Sequence, residues 1–231
     1  IKQELAEQNP LPGVAGALEQ SMAIEGKVQD ASDKLALVNQ ELVHEVRERQ
    51  VLENQLAAAQ EQEASARQAA FHDALTGLPN RVLFNDRLEH GLAQAQRHGW
   101  ALAVMFVDLN DFKIINDTHG HAVGDEVLRM ISARLKDNTR DDDTVSRHGG
   151  DEFLYLLMEV KDEGDVGRIA QKLVTAIQTP CALSIGPLII NASIGISIFP
   201  RDGTTAEALL KTADKSMYQA KREKLGYAFA S

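Results

Sequence analysis

Residues 143–158 read DTVSRHGGDEFLYLLM, two stretches suited to strands, divided by two glycines and two acids. Asp151 and Glu152 side by side are foreign to the middle of a buried strand, and a glycine pair is equally foreign to a strand interior. The segment therefore reads as strand, tight turn, strand, with both carboxylates at the tip of a hairpin. Any fold for this chain must give that tip somewhere useful to point.

The surrounding sequence supplies the layers. HDALTGLPNRVLFNDRL reads as a turn followed by a helix to about Arg97, and WALAVMFVDL, residues 100–109, as a buried strand. A helix from about Ala122 to Lys136 places Val127, Leu128, Ile131 and Leu135 on one face. DVGRIAQKLVTAIQ is an amphipathic helix, and LIINASIGISIFP holds one or two strands. TAEALLKTADKSMYQAKREK is a last helix with Leu209, Leu210, Ala213, Met217 and Tyr218 inward. Helices alternating with strands, one strand pair being a hairpin, predict an α/β or α+β domain: a central mixed sheet flanked by helices.

Residues 1–70 differ in composition from 71–231, being rich in Gln, Glu and Ala and poor in aromatics. Pro10, Pro12, Gly13, Gly16 and Gly26 predict weak structure or short helical pieces over the first 26 residues. From Val28 the apolar positions Val28, Ala31, Leu35, Val38 and Leu42 follow three-four spacing, meet Glu45 and Arg49, and resume at Leu52, Leu56 and Ala59. That pattern suits a parallel coiled-coil homodimer with a polar interruption; an amphipathic helix packed on its own domain is the alternative. A net charge of −10 argues against a general DNA or RNA binder, which normally presents a basic surface. The single cysteine, Cys181, allows no disulfide within the chain and fits a reducing compartment. The apolar runs are too short to span a membrane, and no secretory signal is visible. The expectation is a cytoplasmic segment, free or part of a longer membrane-attached protein, with a sensor or receiver domain upstream.

Asp108 ends the strand at 100–109. If that strand neighbours the hairpin, Asp108, Asp151 and Glu152 meet at one edge of the sheet. Mg2+ commonly takes one or two carboxylates plus substrate phosphates, with Mn2+ a possible substitute. Gly149 and Gly150, lacking Cβ atoms, would then let phosphates approach the backbone; a solvated glycine turn is the plain alternative. Just beyond lie Lys113, Asn116, His121 and Asp125. An Asp paired with an Asn can read the N1–H and 2-amino donors of guanine, and Lys113 could stabilise phosphate charge. Solvated, capping or packed roles would account for the same residues, and spacing alone leaves both readings open.

Four ordered motifs carry a resemblance. DALTGLPNR at 73–81, VDLNDFKIINDTHGHAVGDEVL beginning at Val107, RHGGDEF at 147–153 and ADKSMYQAK at 213–221 resemble those of GGDEF-family diguanylate cyclases, from about Asp73 to Lys221. The resemblance implies a palm-like nucleotidyl-cyclase fold preceded by a long coiled-coil helix. It implies condensation of two GTP molecules to cyclic di-GMP, each domain holding one GTP. By position it implies Asp108, Asp151 and the carbonyl of Leu109 as metal ligands, and Asp151 or Glu152 assisting deprotonation of the 3′-hydroxyl. Asn116 and Asp125 would read guanine with His121 nearby, and Lys113 and Lys221 would contact phosphates. Arg140 and Asp143 match the family's RxxD product-inhibition site, with Arg168 as a second arginine from another subunit.

The C-terminus departs from the family pattern. A Gly-Arg/Lys-Asn turn is expected after AKRE, and KLGYAFAS follows instead, with Leu225 at the basic position. Asn110 stands where a second aspartate is frequent. A receptor for GTP or cyclic di-GMP without turnover is therefore the alternative function, and a dimerisation scaffold is a third.

Overall fold

The computed structural model describes residues 12–230, in two compact units that divide between Ala64 and Ser65. One helix, α1 (Pro12–Phe71), makes up the first unit and enters the second. Its 60 residues span roughly 90 Å at 1.5 Å per residue. The expected weak structure over the first 26 residues is not found from Pro12 onward. The helix runs without interruption through Gly13, Gly16 and Gly26, their propensity cost of about 1 kcal/mol each being diluted among Ala, Leu, Glu, Gln and Met. Pro10 lies outside the described residues. The seam residues Val28, Leu35, Val38, Leu42, Leu52 and Leu56 are all exposed. Val43 and Val46, also exposed, follow Leu42 and Glu45 by one position, so the apolar line steps sideways where the seam turns polar.

In the second unit, α2 (Arg81–His98) starts at Asn80, whose side chain accepts hydrogen bonds from the Val82 and Leu83 amides, and ends at left-handed Gly99. Strand β1 (Ala101–Leu109) follows, then α3 (Phe112–His119) and α4 (His121–Asp137). The hairpin strands are β2 (Thr144–Gly149) and β3 (Glu152–Val160). Next come α5 (Glu163–Gln178), β4 (Cys181–Leu183), β5 (Gly186–Leu188) and β6 (Ala192–Phe199). Helix α6 (Ala206–Glu223) and strand β7 (Tyr227–Phe229) complete the unit.

The main sheet has the order β2-β3-β1-β6-β7. β1 runs antiparallel to β3 and β6, and β7 parallel to β6, so the sheet is mixed. β1 is buried from Leu102 to Leu109, its side chains alternating between two cores. Met105, Val107 and Leu109 join Val127, Ile131, Leu173 and Ile177 of α4 and α5. Leu102, Val104 and Phe106 join Leu88, Leu209 and Met217 of α2 and α6. A central strand covered on both faces explains why its sequence is continuously apolar.

Several local expectations change. α3 and the β4–β5 hairpin were not anticipated, so the described residues hold two strand hairpins. LIINASIGISIFP begins with the last residue of β5, Leu188, and holds β6 from Ala192, within the one or two strands expected. Tyr218 is exposed; Leu209, Ala213, Ser216, Met217 and Ala220 form the inward face of α6. Gly195 sets how closely α6 approaches β6. A Cβ there would stand 2.0 Å from the Ala213 carbonyl oxygen and the Met217 nitrogen.

Candidate active site

β1 and β3 are neighbours, and their register puts Asp108 directly opposite Glu152. The Leu109 amide donates to the Asp151 carbonyl at 3.2 Å, tying the hairpin tip to the end of β1. Asp108 is only 8% exposed, and Lys221, from the last turn of α6, brings its Nζ to 2.5 Å from Oδ1. Asp108, Leu109, Asp151, Glu152 and Lys221 thus gather at one end of the sheet from β1, the hairpin turn, β3 and α6.

The turn is held from outside. Strand register shifts between Arg147 and Gly149, and Gly150 takes φ +54°, a left-handed conformation that favours glycine. No atom lies within 4 Å of a Cβ built on Gly149 or Gly150, leaving open space above the turn. Arg147 donates from Nε and Nη2 to the Gly150 carbonyl at 3.0 and 2.8 Å, and from Nη1 to both carboxylate oxygens of Asp73 at 3.0 and 3.2 Å. Asp73 also accepts from the Thr76 amide at 2.9 Å and hydroxyl at 2.7 Å. Its pKa is lowered: burial pushes it up, but the hydrogen bonds from Thr76 and Arg147 outweigh that. Asp73 begins the segment that follows α1, so this clasp joins the end of the helix to the glycine turn. Sequence reasoning noted both motifs but assigned no role to Asp73 or Arg147; the Asp-x-x-Thr spacing of a side-chain-capped turn was the available signal.

Burial raises the pKa of Asp151, and Asp108 raises it further against its own amide and Lys221. Glu152 is raised by burial and by the charges of Asp108, Asp151 and Asp214. Crowded, half-desolvated carboxylates call for a cation. Among the described residues no group of three or more His, Cys, Asp or Glu side chains could hold a metal ion alone. Two carboxylates with open space beside them fit a divalent ion completed by substrate phosphates.

The other candidates stand on the helices after β1. Lys113 is exposed on α3, His121 is the exposed first residue of α4, and Asn116 and Asp125 are half-buried, one on each helix. Asn116 lies over Gly124, where a Cβ would come within 1.9 Å of its Oδ1. A cavity of about 440 Å³ beside the β1 end is lined by Asn110, Asp111, Asn191, Lys221, Lys224 and Leu225.

A second cavity, of about 370 Å³, contains Arg140, Asp143 and Arg168 in its lining, with Lys161 and Lys172. Arg168 lines it beside Arg140 of the same chain and is paired with Asp165. Asp143 accepts from the Met158 amide at 3.0 Å, and burial nevertheless pushes its carboxyl upward.

Residues 70–226 match the family model described as diguanylate cyclase, GGDEF domain. The bifunctional diguanylate cyclase/cyclic di-GMP phosphodiesterase MucR of Pseudomonas aeruginosa is 45% identical over 163 residues, 70% of this chain and 24% of that protein. Diguanylate cyclase TpbB of the same species is 43% identical over 176 residues, 76% of this chain and 40% of that protein. A solved structure comprising only the TpbB GGDEF domain has a TM-score of 0.67 at 43% identity, covering 69% of this chain and 94% of that one. The chain therefore spans less than half the length of the curated relatives it matches.

Proposed function

The chain belongs to the GGDEF family, and from that premise we propose that it is a diguanylate cyclase unit, converting two GTP molecules into cyclic di-GMP and two pyrophosphates. The observation that carries the reading is Asp108 opposite Glu152, with Asp151 at the glycine turn and Lys221 on Asp108. Asp108, Asp151 and the Leu109 carbonyl would hold Mg2+ or Mn2+. Bound there, the ion supplies charge neutralisation at the α-phosphate and eases loss of the 3′-hydroxyl proton. Asp151 or Glu152 accepts that proton. The 3′-oxygen of one GTP bonds to the α-phosphorus of the other, the bond to pyrophosphate breaks, and the reciprocal attack closes the ring. Lys113 and Lys221 offset phosphate charge. Asn116 and Asp125 select guanine, with His121 beside them, so the product is cyclic di-GMP rather than a mixed dinucleotide.

Two such sites must face each other, and the exposed seam of α1 supports homodimerisation that holds them at high local concentration. A change in helix register would then regulate turnover, driven by an upstream sensor or receiver domain. Cyclic di-GMP bound at Arg140, Asp143 and Arg168 would inhibit its own synthesis, as arginines suit phosphates and stacked bases. The setting is cytoplasmic; among the described residues no helix is long and apolar enough to cross a membrane. Leu225, exposed in the cavity beside Lys221, favours a second reading as a GTP or cyclic di-GMP receptor without turnover. Pyrophosphate release separates the two: with GTP and Mg2+ the cyclase releases it, while ATP or a chelator gives none. A dimeric, nucleotide-free protein that binds GTP and releases no pyrophosphate is the receptor.

A further inference from the structure

Tyr218 is 66% exposed, the one exposed aromatic side chain among the described residues. A solitary exposed apolar residue is ordinary, but this one sits in a patterned stripe. At about 100° per residue, Asp214, Tyr218, Lys221 and Arg222 fall within roughly 100° of arc on the outer face of α6. Lys221 carries its Nζ to Asp108, and Asp214 lines a cavity of about 640 Å³ together with Glu152 and His148. The stripe therefore borders the acid site. Asp214, Met217, Tyr218 and Arg222 also line a hollow of about 410 Å³ on this face. Aromatic rings seated in such hollows are frequent anchors of protein contacts.

The charges on the stripe are arranged about Tyr218. Asp214 lies four residues before it and Arg222 four after it, roughly 6 Å to either side along the axis. Within one helix the two are about 12 Å apart, too far to pair with each other. Arg222 meets only its exposed neighbour Glu223, and Asp214 makes no ion pair among the described residues. A second copy of α6, antiparallel and related by a two-fold axis through Tyr218, puts Asp214 of each chain opposite Arg222 of the other. Such a self-complementary contact satisfies both pairs at once. Lys215 then falls opposite Lys221, whose charge Asp108 already offsets.

We propose that this face of α6 is where two copies of the domain meet during condensation, Tyr218 against Tyr218, with the Asp214–Arg222 pairs fixing the register. The assignment rests on the two-site cyclase reading above and names the surface that brings the sites together. Two helix faces bury less than a stable interface needs. The contact therefore forms only at the local concentration that a dimeric α1 supplies, and it can open to release product.

Charge exchange tests it. Asp214→Arg, Arg222→Asp and the double variant are compared with the parent for cyclic di-GMP turnover with GTP and Mg2+. Binding of 3′-deoxyguanosine triphosphate, which lacks the attacking hydroxyl, is measured alongside. Each single variant should turn over about tenfold more slowly, as like charges face each other, and the double variant should return to within about threefold of the parent. Affinity for the analogue should stay within about twofold throughout. A loss caused by the field of Asp214 at Glu152 is not repaired by Arg222→Asp, and the two positions are too far apart to repair each other within one chain. A second readout is independent of turnover. With the analogue bound, oxidation should link Tyr218→Cys chains into covalent dimers at least about tenfold faster than Glu207→Cys chains, whose Cα atoms lie about 33 Å apart in this arrangement. A double variant no faster than the slower single variant, or equal cross-linking at both positions, overturns the proposal. A parent that binds the analogue and makes no cyclic di-GMP defeats the cyclase reading instead, and the cross-linking then decides the contact alone.

Discussion

The substitution Arg147→Ala removes four contacts in one step: two hydrogen bonds to Asp73 and two to the Gly150 carbonyl. Charged hydrogen bonds of this kind contribute about 1.5–3 kcal/mol each when shielded. The pair is only partly shielded, at 14% side-chain exposure for Arg147 and 24% for Asp73, and Thr76 continues to serve Asp73. Water recovers much of the loss, so the expected destabilisation of the globular unit is about 2–3 kcal/mol, or a Tm lower by roughly 5–10 °C. A cycle of Arg147→Ala, Asp73→Asn and the double variant, read by urea denaturation, should give a coupling of about 1–2 kcal/mol. Because Asp73 is held below the ordinary carboxylate pKa, its contribution is complete above that ordinary value and fades as pH falls through the lower folded value. Without Arg147 the folded pKa rises toward the unfolded one, and this part of the acid sensitivity shrinks. Turnover should fall with stability to spare, since Gly150 carries Asp151. A coupling below about 0.3 kcal/mol would refute the clasp as a structural link between α1 and the glycine turn.

Other substitutions probe separate parts of the account. Gly124→Ala should gain about 1 kcal/mol of helix propensity in isolation, yet its Cβ would displace Asn116; guanine-nucleotide affinity, followed by titration, should fall about tenfold. Gly195→Ala should destabilise the unit by about 3 kcal/mol or more in a denaturant melt, because its Cβ would meet the backbone of α6. Asp143→Asn keeps an acceptor for the Met158 amide and removes a carboxylate that burial disfavours. Its stability relative to the parent should improve as pH rises through the span between the ordinary and the raised pKa, while cyclic di-GMP binding weakens about tenfold.

The meeting of Asp108 with the hairpin acids was legible because each strand announces its end: an apolar run stops at Asp108, and a glycine pair precedes Asp151. The face of α4 was legible for the same reason, four apolar residues at helical spacing. Tyr218 was misplaced because it lies one residue beyond Met217, about 100° round the helix from the buried stripe. β7 escaped because its three residues are a strand only through pairing with β6, more than thirty residues earlier. α3 escaped because its eight residues make barely two turns, too few for a helical period to show in sequence. That Arg168 and Arg140 share one cavity needed the fold, since α5 lies beside β3. The Asp73–Arg147 pair, 74 residues apart, likewise shows itself only once the chain has folded.

The most direct measurement is the product itself. The chain, stripped of bound nucleotide and checked to be dimeric, is incubated with GTP and Mg2+ beside an Asp151→Asn variant, and the nucleotides are resolved by chromatography. Cyclic di-GMP from the parent and none from the variant is the predicted result. No cyclic di-GMP from the parent, or equal amounts from both, would contradict a cyclase whose metal chemistry sits at the glycine turn.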